Sequence, residues 1–162
     1  MLTSGDRAPD LSLPGAAGGH FTLSEALQKA PVLAAFFKVS CGTCQFTFPF
    51  VERLYRAYGN GAIAFWGISQ DDREKTHDFC NRFGVTFPAA LDWPDYKASR
   101  SYGFTTVPSL FLVGSDGRIR FTLSGFSKAG LIQLAKEMSG LLSLPVKPVF
   151  LAGEPVPELK PG

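Results

Sequence analysis

Cysteine is scarce in this sequence, three in 162 residues, and three thiols cannot all pair within one chain. That excludes a small scaffold stapled by disulfides, and it means a close pair of cysteines is read as chemistry before it is read as a cross-link. Histidine and methionine are scarcer still, two of each, so there is no His-rich or Met-rich stretch of the kind that marks a metal carrier. Charge of one sign is lacking too. The formal net charge is +2, with Lys and Arg scattered along the chain, which leaves no electrostatic footprint for a phosphate backbone or an anionic membrane surface. Neither nucleic acid nor membrane is expected as a partner. Uninterrupted apolar runs such as Val32 to Phe37 and Ala62 to Trp66 are strand-sized, far short of the roughly 20 residues of a membrane-spanning helix. The residues from Met1 to Asp6 hold no apolar run that could act as a signal peptide, so a cytoplasmic location is expected, or a periplasmic one if a leader has been removed. No internal repeat is present.

What is there is an ordinary globular composition, 45% hydrophobic and 19% charged, in a chain long enough for one domain with a real core. After residue 30, helical and strand periods alternate, the pattern of an α/β fold. Val32 to Phe37 is continuously apolar, as expected of a central strand covered on both faces. A helix is expected from Gly42 to about Tyr58, with Phe46, Phe50, Leu54 and Ala57 at helical spacing, Pro49 placed to kink it and Gly59-Asn60-Gly61 to close it. Ala62 to Ile68 reads as a second buried strand, and Asp71 with Glu74 as a capping box for a helix through Phe83 that Gly84 stops. A short strand from Phe87 to Leu91 and a short helix from Asp95 to Tyr102 follow. Ser109 to Val113 and Ile119 to Ser124 flank the turn Gly114-Ser115-Asp116-Gly117 and make a β-hairpin. The last helix starts at Ser127 and carries Leu131, Leu134, Ala135, Met138 and Leu142 on one face. Ahead of this core, Leu11 to Leu13 and His20 to Thr22 form a small hairpin. The expected division is a domain over residues 1–144 and, over 145–162, an irregular Pro-rich C-terminal arm anchored by Val149, Phe150 and Leu151.

The chemistry is expected at Cys41-Gly42-Thr43-Cys44. The pair follows a buried strand and opens a helix, so Cys41 sits where unpaired backbone N–H groups and the positive end of the helix dipole favour a thiolate. Residues three apart on a helix share a face, which brings the second sulfur within bridging reach of the first. Cys41 is therefore the expected nucleophile and Cys44 the resolving thiol. The other reading of these residues is half a zinc site completed by His77 and Cys80, but a zinc ribbon normally repeats its CxxC, and neither a metal nor any other cofactor is expected. Cys80, beside Phe79 and Phe83, is assigned a structural place. His20 and His77 have no triad-like company and are read as surface residues.

The CxxC after a hydrophobic strand, Pro49 in the next helix, Val107-Pro108 before a strand and Gly125-Phe126-Ser127-Lys128 resemble the thioredoxin fold. The opening Gly5-Asp6-Arg7-Ala8-Pro9-Asp10, together with Gly67-Ile68-Ser69, Phe87-Pro88 and Asp92, is closer to its redoxin branch, which includes TlpA-like, ResA-like and peroxiredoxin proteins. The resemblance implies a central mixed β-sheet flanked by helices, and a Val107–Pro108 cis peptide facing the CxxC. It also implies a substrate strand bound by Gly42, Thr43, Val107 and Pro108. Three positions depart from the thioredoxin pattern: Ala35 stands where a buried acid is usual, Ser40 replaces an aromatic residue, and Thr43 replaces the common proline between the cysteines. Proton handling, reduction potential and partner preference are thereby left open. Lys38 is close enough in sequence to influence Cys41.

The leading expectation is a thiol–disulfide oxidoreductase acting on protein disulfides or dithiols, with a separate electron donor and a monomeric state. The alternative is a peroxiredoxin-like thiol peroxidase, which also needs an ionised thiol. Against it, the proline and the Thr or Ser three residues before an attacking cysteine are missing, since Lys38 holds that place. A non-catalytic carrier of Cu(I) or zinc is the third reading.

Overall fold

A computed structural model describes all 162 residues. The elements in chain order are β1 (Ser12–Pro14), β2 (His20–Thr22), α1 (Leu23–Ala26), β3 (Val32–Phe37), α2 (Gly42–Tyr58), β4 (Ala64–Ser69) and α3 (Arg73–Phe83). They continue with β5 (Ala89–Leu91), α4 (Lys97–Tyr102), β6 (Ser109–Val113), β7 (Ile119–Ser124), β8 (Phe126–Ser127), α5 (Lys128–Leu142) and β9 (Leu159–Lys160). The main sheet has five strands in the order β5-β4-β3-β6-β7. Strand β3 is parallel to β4 and antiparallel to β6, which makes the sheet mixed. This is the α/β thioredoxin-like architecture, with the small β1–β2 hairpin added at its N-terminal side.

The all-apolar run of β3 is explained by its two faces. Leu33, Ala35 and Phe37 point into one hydrophobic cluster, where α2 contributes Phe48, Val51 and Leu54 and α5 contributes Leu131, Leu134 and Met138. Val32, Ala34 and Phe36 point the other way, onto Leu11, Leu13, Leu23, Ala98 and Tyr102. Strand β6 divides in the same manner, Leu110 and Leu112 to the first side and Phe111 and Val113 to the second. With side chains alternating at a period of two and helices on both faces, every residue of these strands is removed from water. Truncating one of the large ones, such as Phe48→Ala, would cost about 3–5 kcal/mol.

Helix α2 begins and ends where the sequence places it and is continuous across Pro49. Helix α3 is capped by Asp72, whose side chain accepts from the Lys75 amide, and not by Asp71. Asp71 is drawn off to accept from the Val39 N–H at 2.8 Å, so the two adjacent acids divide the work. Gly84 closes α3 in the left-handed conformation (φ 68°), as glycine does most readily. Helix α4 is shorter than expected because Asp92, buried behind it, accepts from the Ala98 and Ser99 amides and fixes its start.

The arm departs from expectation. It is not irregular throughout: Leu159 and Lys160 form β9, antiparallel to β8. Proline lacks the amide a ladder needs, and Glu158-Leu159-Lys160 is a proline-free run between Pro157 and Pro161. Val149 is buried and Phe150 packs against Phe50 and Phe126, but Leu151 is exposed and anchors nothing.

Candidate active site

Strand β3 ends at Phe37, the turn from Lys38 to Ser40 carries the chain out of the sheet, and Cys41 becomes the residue that caps α2. Its Sγ takes the role an oxygen plays at an ordinary helix start, accepting from the Cys44 amide at 3.2 Å. The helix thus aims a free N–H at that sulfur. Cys41 also donates its thiol to the Val107 carbonyl at 3.4 Å and is half-exposed. Cys44, one turn further, is fully buried, and burial first, then its hydrogen bond to the Cys41 side chain, pushes its thiol strongly up from the usual cysteine range. All three cysteines are free thiols. The pair is therefore asymmetric: an accessible front sulfur held by an amide, and a protonated rear sulfur behind it.

The other residues expected here converge on the same spot. The Val107–Pro108 peptide is cis. Pro108 is buried and its carbonyl accepts from the Gly125 amide at 2.8 Å, which ties the loop before β6 to the start of β8. The Val107 N–H makes no hydrogen bond within the chain. Gly42 is exposed at the first helical position, with open space around it. Thr43, in the position where thioredoxins carry proline, donates its hydroxyl to the Pro161 carbonyl at 2.6 Å.

That last contact was not foreseen. The arm crosses the site: a side-chain carbon added at Gly162 would stand 2.5 Å from the Val107 carbonyl oxygen, and one added at Gly125 would stand 2.8 Å from the Lys160 carbonyl. Gly125 itself has φ 69°, so close approach and backbone conformation both require glycine there. The only sequence sign of this arrangement is the proline-free gap in the arm. A second unforeseen neighbour is Asp71. Ala35, buried mid-strand, offers no acid to the rear thiol, and Asp71 is the carboxylate that acts on Cys44, keeping its proton on by charge repulsion.

Lys38 turns away from the sulfurs and holds its ammonium over the Tyr96 ring at 5.9 Å. Cys80 is half-buried on α3, and burial, then the Glu52 carboxylate, pushes its thiol up to about 11. It is packed among apolar residues, as a structural cysteine would be. The exposed His77 places Nε2 2.7 Å from the Ala16 carbonyl, and His20 Nε2 lies 2.5 Å from the Ser12 hydroxyl. The four ligands considered for zinc do not come together, since no group of three or more Cys, His, Asp or Glu side chains is placed to hold a metal ion. No helix is long and apolar enough to cross a membrane.

Comparison with known proteins agrees with this geometry. The thiol-disulfide oxidoreductase ResA of Geobacillus thermodenitrificans is 26% identical over 122 residues, 75% of this chain and 69% of its own. A Mycobacterium tuberculosis protein assigned as a peroxiredoxin is 29% identical over 130 residues, 73% of this chain and 82% of its own. Among solved structures, a Chlorobium tepidum protein assigned as the thiol:disulfide interchange protein DsbE superposes with a TM-score of 0.78 at 26% identity, covering 88% of this chain and 99% of that one. The Redoxin family model matches residues 3–136, and the chain therefore belongs to the Redoxin family, with thiol–disulfide oxidoreductases among its homologues.

Proposed function

We propose that this protein is a thiol–disulfide oxidoreductase that reduces or forms disulfides in polypeptides through a mixed disulfide at Cys41. The observation that carries this reading is the asymmetric pair: Cys41 Sγ half-exposed and accepting the Cys44 amide, with a buried second thiol one helical turn behind. In the reducing direction, the Cys41 thiolate attacks one sulfur of a substrate disulfide. The Cys41–substrate S–S bond forms, the substrate S–S bond breaks, and the departing sulfur leaves as a thiolate that takes a proton. Cys44 then loses its proton and attacks Cys41 Sγ, forming the Cys41–Cys44 disulfide and releasing the second substrate thiol. Two electrons have passed from the protein to the substrate, and an external dithiol must return them before another cycle. The raised Cys44 thiol suits this order: it stays protonated and does not compete for substrate while Cys41 is free. The Val107 backbone, with its carbonyl beside the Cys41 sulfur and its N–H unpaired, is the pairing position for the substrate strand.

The test is to mix the reduced protein with a protein disulfide and map the product by mass spectrometry. The expected product is a Cys41–Cys44 disulfide with two substrate thiols released per protein. A disulfide that includes Cys80, or substrate thiols failing to appear, would overturn the reading. Titrating the couple against glutathione then assigns its direction. A peroxidase reading is favoured by the peroxiredoxin-assigned relative alone, and peroxide consumption much faster than that of a free thiol would promote it over the first.

A further inference from the structure

Residues 159–162 lie in the place a substrate strand would need. The Cys41 thiol, the Val107 carbonyl and free N–H, the Thr43 hydroxyl and the β8 edge form one continuous strip. The arm covers most of it: Leu159 pairs with Ser127 and Lys160 with Phe126, the Pro161 carbonyl takes the Thr43 hydroxyl, and Gly162 closes against the Val107 carbonyl, leaving the Val107 N–H unpaired. We propose that this strip is a docking track for an extended polypeptide segment, and that the arm's own residues 159–162 cover it in the dithiol form, so that a substrate engages Cys41 by displacing them. The proposal rests on the oxidoreductase reading above and adds what controls access to it.

The arm is built for such an exchange, because its root and its tip are held very differently. At the root, Val149 is buried, Phe150 packs against Phe50 and edge-on to Phe126, Arg53 grips Glu154 through two 2.8 Å bonds, and the Lys147 amide donates to the Tyr58 hydroxyl. The tip has a ladder of two residues, one side-chain bond, and a Leu159 side chain 71% exposed. The tip can therefore leave while the root stays. Pro155, Pro157 and Pro161 hold the tip extended, so it matches an incoming strand in shape and loses little chain entropy on docking. Its one distinctive side chain is Lys160, whose ammonium sits 5.0 Å above the Phe46 ring. That contact defines the favoured partner: an extended segment near a disulfide, with a basic residue placed to lie over Phe46.

The experiment compares three proteins: the 162-residue chain, the same chain ended after Glu158, and Lys160→Pro, which keeps the arm but removes a backbone N–H from the ladder. Each is assayed for reduction of insulin, a protein disulfide, and of a small aromatic disulfide that does not need the track. Releasing the tip is expected to raise the insulin rate about fivefold, since the competent state is no longer partly masked, and to leave the small-disulfide rate within about twofold. Added peptide of residues 155–162 is expected to slow the shortened protein on insulin again. Equal insulin rates in all three active proteins, or a slower rate when the tip is gone, would overturn the docking track alone. Loss of exchange with both disulfides in all three would bring down the oxidoreductase reading, and the track with it. Lys160→Pro decides the matter should the shortened chain fail to fold.

Discussion

Helix α2 has two ends made for different purposes. Its first turn, from Cys41 to Cys44, has no acidic residue, and the front sulfur meets only an amide N–H and a carbonyl. In its second half Glu52, Arg53 and Tyr58 each hold another part of the chain. Buried Glu52 accepts from the Thr86 amide at 2.8 Å and from the Thr86 hydroxyl, fastening the loop before β5, and also takes Arg56 at 3.1 Å. Arg53 fastens the arm through Glu154, and the Tyr58 hydroxyl fastens it through the Lys147 amide. One end keeps a reactive group addressable; the other uses Glu52, Arg53 and Tyr58 to fasten neighbouring segments. The contrast teaches that reactivity and stability are divided along a single helix, so they should be separable by substitution.

The largest effect is expected at the first end. Cys41→Ser should lower exchange with a protein disulfide by on the order of 100-fold or more, a neutral hydroxyl being far less nucleophilic than a thiolate. Cys44→Ser should keep the first attack but leave a mixed disulfide on Cys41 that accumulates, visible as a covalent adduct by mass spectrometry. Cys41→Ser, at a helix cap that serine fills well, should not move the melting temperature by more than about 2 °C. At the other end the readouts reverse. Glu52→Ala removes the buried carboxylate that fastens the exposed Thr86 and should cost roughly 1.5–3 kcal/mol, the range for hydrogen bonds to a charged group, lowering the melting temperature by about 4–10 °C, with Cys41 exchange unchanged. If Glu52→Ala slowed exchange at a temperature where the protein is fully folded, the two ends would be coupled and the division would fail.

How much of this could be read from residues alone follows the range of the interactions. The central strands, the start and end of α2, the β6–β7 hairpin and the start of α5 rest on local periodicity and caps, and they stand where the sequence indicates. The CxxC is legible for the same reason: strand, loop and helix are contiguous, so the position of Cys41 as helix cap follows from local order. Asp71 and Asp72 were harder to tell apart, because only a partner 32 residues away, the Val39 amide, decides which of them caps α3. The arm was least legible. Its proline content says that it cannot build a sheet of its own. It does not say that three proline-free residues will find the edge at Phe126, or that Thr43 will reach a carbonyl 118 residues along the chain. Such contacts depend on surfaces that exist only once the domain has folded. The Thr43 departure from the thioredoxin pattern marked the right place without revealing its purpose.

The smallest expected effect lies where the second end of α2 meets the arm. The Arg53 guanidinium, first through its hydrogen bonds and next with help from the Leu151 amide, holds the Glu154 carboxyl down at about 2 from an ordinary 4.5. A carboxylate depressed in the docked form binds fewer protons there than when released. Its contribution is therefore complete above pH 4.5 and is lost as pH falls from there through about 2. The pair lies at the surface and is screened by salt, so this should loosen the arm root without unfolding the domain. Following the Glu154 carboxyl by NMR should give a midpoint near 2, and Arg53→Ala should return it toward 4.5. Amide exchange at Leu151, whose N–H donates to Glu154 Oε1 at 3.2 Å, should quicken across the same interval relative to the intrinsic acid dependence. A midpoint near 4.5 in the unaltered protein would mean that the Arg53–Glu154 pair adds nothing to the root, which Val149, Phe150 and the Tyr58 hydroxyl then hold. Helix α2 would then stabilise the arm with its hydrophobic face, and the polar division between its ends would shrink to Glu52 and Tyr58.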